Sequence, residues 1–135
     1  MVDKKCSRKE VMSRKLIGHV GVDSGQMMLA DPCYVDGDNF VDDRENGFDI
    51  GENREGPYPL SYEGACNASM SENQAGVLSF HAGHEGAAVV CSTGYGDGVY
   101  PVYVEYTSDQ ETGSWGRRVK SMTIEFIDGE ETPYG

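Results

Sequence analysis

From Ser92 to Tyr106 the chain reads Ser-Thr-Gly-Tyr-Gly-Asp-Gly-Val-Tyr-Pro-Val-Tyr-Val-Glu-Tyr, with three glycines and an aspartate in one turn and three tyrosines in the strand that follows. Glycine tolerates positive φ and lets other backbone come near, so this density points to close approach by another strand or by a ligand. In the ligand case the N–H groups of Gly94, Tyr95, Gly96, Asp97 and Gly98 form a nest for an anion, and Tyr95, Tyr100 and Tyr103 stack on a base or sugar. Asp31 and Asp97 then accept from a ribose hydroxyl or an exocyclic amine. In the structural case the glycines serve a hairpin, Asp97 caps the turn and the tyrosines pack the sheet. Both readings stay open, because a Gly-Asp-Gly triplet without a strand–loop–helix setting has no specificity for phosphate. The candidate ligand set is Gly94, Tyr95, Gly96, Asp97, Gly98, Tyr103 and Asp31.

Other residue types able to do chemistry are present in weaker patterns. His81-x-x-His84-Glu85, with Cys33, Cys66 and Cys91, offers zinc-binding types, but the histidines flank Gly83 in a turn and no paired set completes four ligands. Asp36, Asp38, Asn39, Asp42, Asp43 and Glu45 suggest oxygen-rich cation chemistry. They fail the twelve-residue calcium loop, whose glycine position holds Val41. No nucleophile elbow or local triad signature occurs, so no catalytic residue is named and the reading leans against an enzyme. No cofactor is expected.

These residues need strands to position them. Leu16–Val22 reads as a strand, with Asp23-Ser24-Gly25 as its turn and Gln26–Ala30 as its hairpin partner, closed by Asp31-Pro32. Segment 36–59 is an irregular acidic excursion, and Ser61–Glu72 holds a short helix around Ala65, Cys66, Ala68 and Met70. Val77–His81 is a strand, and Gly86–Thr93 is a buried central one. Tyr100, Val102, Val104 and Tyr106 share one face of the next. In the last strand Met122, Ile124 and Phe126 form a buried face opposite Ser121, Thr123 and Glu125. The expected fold is mainly β: an antiparallel sandwich or strongly curled sheet of about six strands, with room for one short helix. The domain reading is a basic arm at 1–15, one β-rich domain at 16–128 and an acidic tail at 129–135.

The chain has 135 residues, 18 glycines and a net charge of −12. Six of its eleven basic residues lie in the first fifteen positions, so the remainder is strongly acidic. Such a body repels nucleic-acid backbones, and direct nucleic-acid binding is not expected. No apolar run is long enough to cross a bilayer, and the charged start is unlike a secretory leader. A cytoplasmic location and reduced cysteines are the expectation.

Leu16–Val35 with Gly21-Val22-Asp23-Ser24-Gly25 and Asp31-Pro32-Cys33-Tyr34, then Tyr62-Glu63-Gly64-Ala65-Cys66, and above all Thr93–Tyr103 resemble one family. It is a group of small uncharacterised bacterial and bacteriophage proteins classed as a domain of unknown function. The resemblance spans roughly 16–127, is most specific at Gly-Asp-Gly-x-Tyr-Pro, and implies a compact β-rich intracellular domain without an assigned active site.

The expected function is that of a small non-catalytic binding protein. One form is a phage counter-defence protein that sequesters a small anionic, nucleotide-like signal at the glycine turn, in the host cytoplasm. The alternatives are an acidic inhibitor of a host protein or nucleic-acid mimic, and an assembly protein of a phage. Monomer and oligomer are both open.

Overall fold

Among the residues it describes, 14–44 and 53–128, the computed structural model has seven strands in two sheets, a mainly β fold with short helices. Most of the expected basic arm, the centre of the acidic excursion and the whole acidic tail lie outside the described residues. By its contacts the chain divides into two compact units, Val22–Asp97 and the flanking Met1–Gly21 with Gly98–Gly135.

The Val22–Asp97 unit is built on a sheet in the order β2-β5-β4-β3, formed by β2 (Gln26–Ala30), β5 (Glu85–Ser92), β4 (Ala75–Ser79) and β3 (Tyr58–Pro59). The β2–β5 and β5–β4 pairs are antiparallel, while the two-residue β3, absent from the expected six strands, joins in parallel. Helix α1 (Tyr62–Ser69) starts where Ser61 takes a hydrogen bond from the Gly64 amide and Asp43 takes one from the Glu63 amide. It ends at Met70, where the Ser71 hydroxyl donates to the Ala68 carbonyl. The core of this unit is Leu60, Ala65, Ala68, Leu78, Ala87, Ala88 and Val90, bordered by Met28, Ala30, Tyr34, Phe40, Tyr58 and Phe80.

Small residues make that core possible by letting helix and sheet approach closely. A Cβ on Gly64 would stand 2.0 Å from the Pro59 carbonyl oxygen, and one on Gly76 would stand 2.8 Å from the Tyr58 ring and 3.0 Å from the Ala68 methyl. Neither position admits a side chain in this packing.

In the flanking unit β1 (Arg14–Val22, whose last residue opens the other unit), β6 (Gly98–Tyr106) and β7 (Val119–Ile124) form a sheet in the order β1-β6-β7. A one-turn helix α2 (Asp109–Thr112) with a Ser108–Glu111 capping box lies in the β6–β7 connection. Tyr100 and Phe126 meet edge to face at 5.4 Å. The Arg14 guanidinium lies 4.3 Å from the Tyr103 ring centre and donates to Glu125 at 2.9 Å.

Three expectations about the strands are corrected. Segment 14–22 is not the hairpin partner of β2: it belongs with β6 and β7, so Asp23-Ser24-Gly25 links two different sheets. Arg14 is held by Tyr103 and Glu125, whereas Met28 and Ala30 pack on the α1 core, so each strand has its partners within its own unit. The Gly94 turn likewise carries the chain from one sheet to the other instead of closing a hairpin. Met122 lies in no buried face; it is exposed, because β7 is the edge of a sheet with no packed layer of its own over it among the described residues.

Candidate functional site

The glycine turn begins at Thr93, which is buried, takes the Gly96 amide on its carbonyl at 3.0 Å and donates its hydroxyl to the Gly96 carbonyl at 2.7 Å. Gly94 and Gly96 have φ of +59° and +108°, which explains glycine at both positions. The neighbour they meet is the Asp23–Gly25 turn: the Thr93 amide donates to the Gly25 carbonyl at 3.1 Å, and a Cβ on Gly25 would lie 3.8 Å from the Gly96 Cα. Tyr95 stands at the apex, 61 % exposed, and Asp97 is also exposed.

The remaining residues of the candidate set have partners of their own. Asp31 caps the 3-10 turn Pro32–Tyr34 and accepts from the Cys33 amide at 3.1 Å. That hydrogen bond holds its carboxyl below the ordinary carboxylate range, and the same carboxylate pushes the exposed Cys33 thiol up. Gly98 and Tyr103 belong to the flanking unit, where Gly98 adjoins the Tyr100 ring of its own strand and Tyr103 lies under Arg14.

Among the described residues no group of three or more His, Cys, Asp or Glu side chains is placed to hold a metal. His84 stacks on Phe80 at 4.5 Å, His81 Nε2 meets the Asn39 carbonyl, and Cys33, Cys66 and Cys91 are free thiols. Asp36 accepts from the Asp38 and Asn39 amides and from the Asn39 side chain, as an aspartate does in an Asx turn. A groove of about 640 Å³ lies beside the end of α1, lined by Arg54, Tyr58, Met70, Glu72 and Asn73 among others.

A different feature stands out in the Val22–Asp97 unit. The strand registers place Leu29, Val89 and Val77 directly opposite one another across β2, β5 and β4, and Met27, Cys91 and Ala75 in the next row. Alternation puts both rows on the face away from α1, since Met28, Val90 and Gly76, with Ala30, Ala88 and Leu78, make up the rows beneath the helix. An antiparallel sheet with one face on water normally makes that face polar, but here both rows are wholly apolar. Leu29 is 51 % and Val89 47 % exposed. Partial burial raises the Cys91 thiol above its ordinary range.

The charge is divided as sharply as the chain. Residues 22–97 hold fourteen Asp and Glu against two Arg, while the flanking unit holds nine charges of each sign. The whole net charge of −12 therefore belongs to the unit that carries the apolar rows. The sequence reading missed this surface because a continuous run, Ala87-Ala88-Val89-Val90-Cys91, was read as buried on both faces. The signal was there: such a run makes both faces apolar, whatever covers them.

No curated protein and no solved structure matches the chain. Residues 8–113 match the family model described as protein of unknown function (DUF4241). This match covers well over half of the 135 residues, and the chain belongs to the DUF4241 family.

Proposed function

We propose that the protein is a non-catalytic binding module that holds a basic protein partner on the outer face of its four-stranded sheet. The observation that carries this reading is the pair of apolar rows, Leu29–Val89–Val77 and Met27–Cys91–Ala75, on the sheet face opposite the helix. Apolar surface of this kind, exposed along the Leu29–Val89–Val77 row and half-buried along the other, marks interaction sites. Its setting in the unit with fourteen acidic and two basic residues selects the partner's chemistry: an aliphatic centre with lysine and arginine at the rim. Electrostatic attraction would speed encounter, and apolar burial would hold the complex. In a phage setting, a protein that occupies a host surface in this way is a counter-defence inhibitor.

The test is fluorescence anisotropy with a labelled amphipathic peptide of leucine and lysine, and with its leucine–glutamate counterpart. The cationic peptide binds, its affinity falls as salt rises from about 50 to about 500 mM, and Val89→Asp weakens it at least about tenfold. Equal binding to wild type and Val89→Asp, or preference for the anionic peptide, overturns the reading.

A second reading rests on Tyr95. Its exposed ring, between two glycines of positive φ, is presented for stacking on a planar ligand such as a nucleotide base. Isothermal titration with cyclic nucleotides and ADP-ribose derivatives, repeated on Tyr95→Ala, separates the two. Heat lost on that substitution supports the turn, and silence throughout removes it.

A further inference from the structure

Among the described residues, the flanking unit has a sheet edge that no strand pairs with. β7, Val119-Lys120-Ser121-Met122-Thr123-Ile124, pairs with β6 on one side only and is the last strand of its sheet among the described residues. Five of its six residues are exposed, with Val119 at 63 % and Met122 at 59 %. Its register with β6 puts Val119, Met122 and Ile124 opposite Tyr106, Val104 and Val102, so an apolar sheet face runs out to this edge. Natural edges are blunted by charge, by proline, by a bulge or by a covering segment. β7 has no proline, its one charge, Lys120, is paired within the chain with Glu111 at 2.9 Å and Glu105 at 3.8 Å, and its register shift against β6 is confined to the Glu105–Tyr106 step, which leaves Ser121–Ile124 in regular register.

We propose that β7 pairs with β7 of a second copy of this chain, giving a two-fold dimer in which two three-stranded sheets become one sheet of six. An antiparallel pair of identical strands satisfies the open ladder groups of both edges at once and is self-complementary by symmetry. The apolar rows of the two copies then continue into one another and bury Val119 and Met122. Charge selects a second copy over a charged partner. The unit's nine basic and nine acidic residues balance, so its own charge gives no hold to a strongly charged partner and does not oppose a second copy of the same unit. The other edge, β1, is less suited, because it carries Arg14, Lys15, Gly18 and Gly21. This inference is independent of the basic partner proposed above.

Sedimentation velocity over about 1 to 300 μM tests it. The expected result is a concentration-dependent shift from monomer to dimer. Met122→Glu, and separately Val119→Lys, should raise the dimer dissociation constant at least about tenfold, with circular dichroism unchanged. Val89→Asp, on the other sheet, should leave it unaltered. A monomer at every concentration overturns the proposal, as does a dimer that both edge variants leave intact. If one edge variant fails to fold, the other decides.

Discussion

Leu29 and Val89 face each other across the β2–β5 pair on the side of the sheet away from helix α1, each about half exposed, while their neighbours Met28 and Val90 pair beneath the helix. One strand pair thus has two apolar faces with different duties. The inner face holds the unit together; the outer one is surface whose exposure the fold does not need. That division leads to opposite outcomes for adjacent residues.

Val90 is fully buried, and Val90→Ala should cost about 2 kcal/mol through lost methyls and the space they leave. Val89→Thr keeps a β-branched shape on an open face and should change stability by less than about 0.5 kcal/mol. Urea denaturation of the two variants checks the contrast. Similar losses would mean that the outer face is part of the fold's support.

Gly64→Ala should destabilise the protein by about 3 kcal/mol or more, because its Cβ would meet the Pro59 carbonyl oxygen at 2.0 Å and backbone has to move. Gly37 has nothing within 4 Å of an added Cβ and no positive φ, so Gly37→Ala should fall within about 0.5 kcal/mol of wild type. Thermal melts of both variants report the difference.

Arg44 clasps Asp42 through its Nε at 2.8 Å and through a second nitrogen, and its guanidinium also lies 4.9 Å from the Tyr62 ring centre. These hydrogen bonds pull the Asp42 carboxyl down to about 2. A lowered carboxylate pKa favours the folded state above the ordinary value near 4, and that contribution fades as pH falls through about 2. Both side chains are exposed, so the pair adds little to stability and is best read directly. A carboxyl-detected NMR titration should find Asp42 near 2, and Arg44→Gln should raise it toward the ordinary range, short of a full return because the residue 44 amide still donates to it at 3.3 Å.

Asp31 should slow the chemistry of Cys33. Its carboxylate pushes the exposed thiol up, which lowers the thiolate fraction at neutral pH. Asp31→Asn keeps a capping oxygen for the Cys33 amide and removes the charge, so alkylation of Cys33 at about pH 7.5 should speed up. Peptide mapping by mass spectrometry follows the rate, with buried Cys66 as the slow internal reference. An unchanged rate would show that Asp31 acts on the backbone alone.

The fold class was legible because turn glycines and β-branched runs recur at short spacing, and the helix was legible from Ser61 and the small residues behind it. Strand partnership was not. Asp23-Ser24-Gly25 has hairpin composition, yet the distant contacts of Arg14 with Tyr103 and Glu125 place β1 in another sheet, and local turn chemistry carries no information about them. The glycine turn was legible as a close approach, but only tertiary structure identifies the Gly25 backbone as its neighbour. The apolar rows were hidden for a related reason: Val89 reads as core until the register shows that α1 covers Val90 instead.

Capture of a basic partner by the outer rows of the four-stranded sheet is the function proposed for this protein. Anisotropy of the labelled leucine–lysine peptide on wild type and on Val89→Asp tests it most directly. The expected result is salt-sensitive binding that weakens at least about tenfold on substitution. Binding of equal strength to both proteins, or none to wild type at low salt, would contradict it.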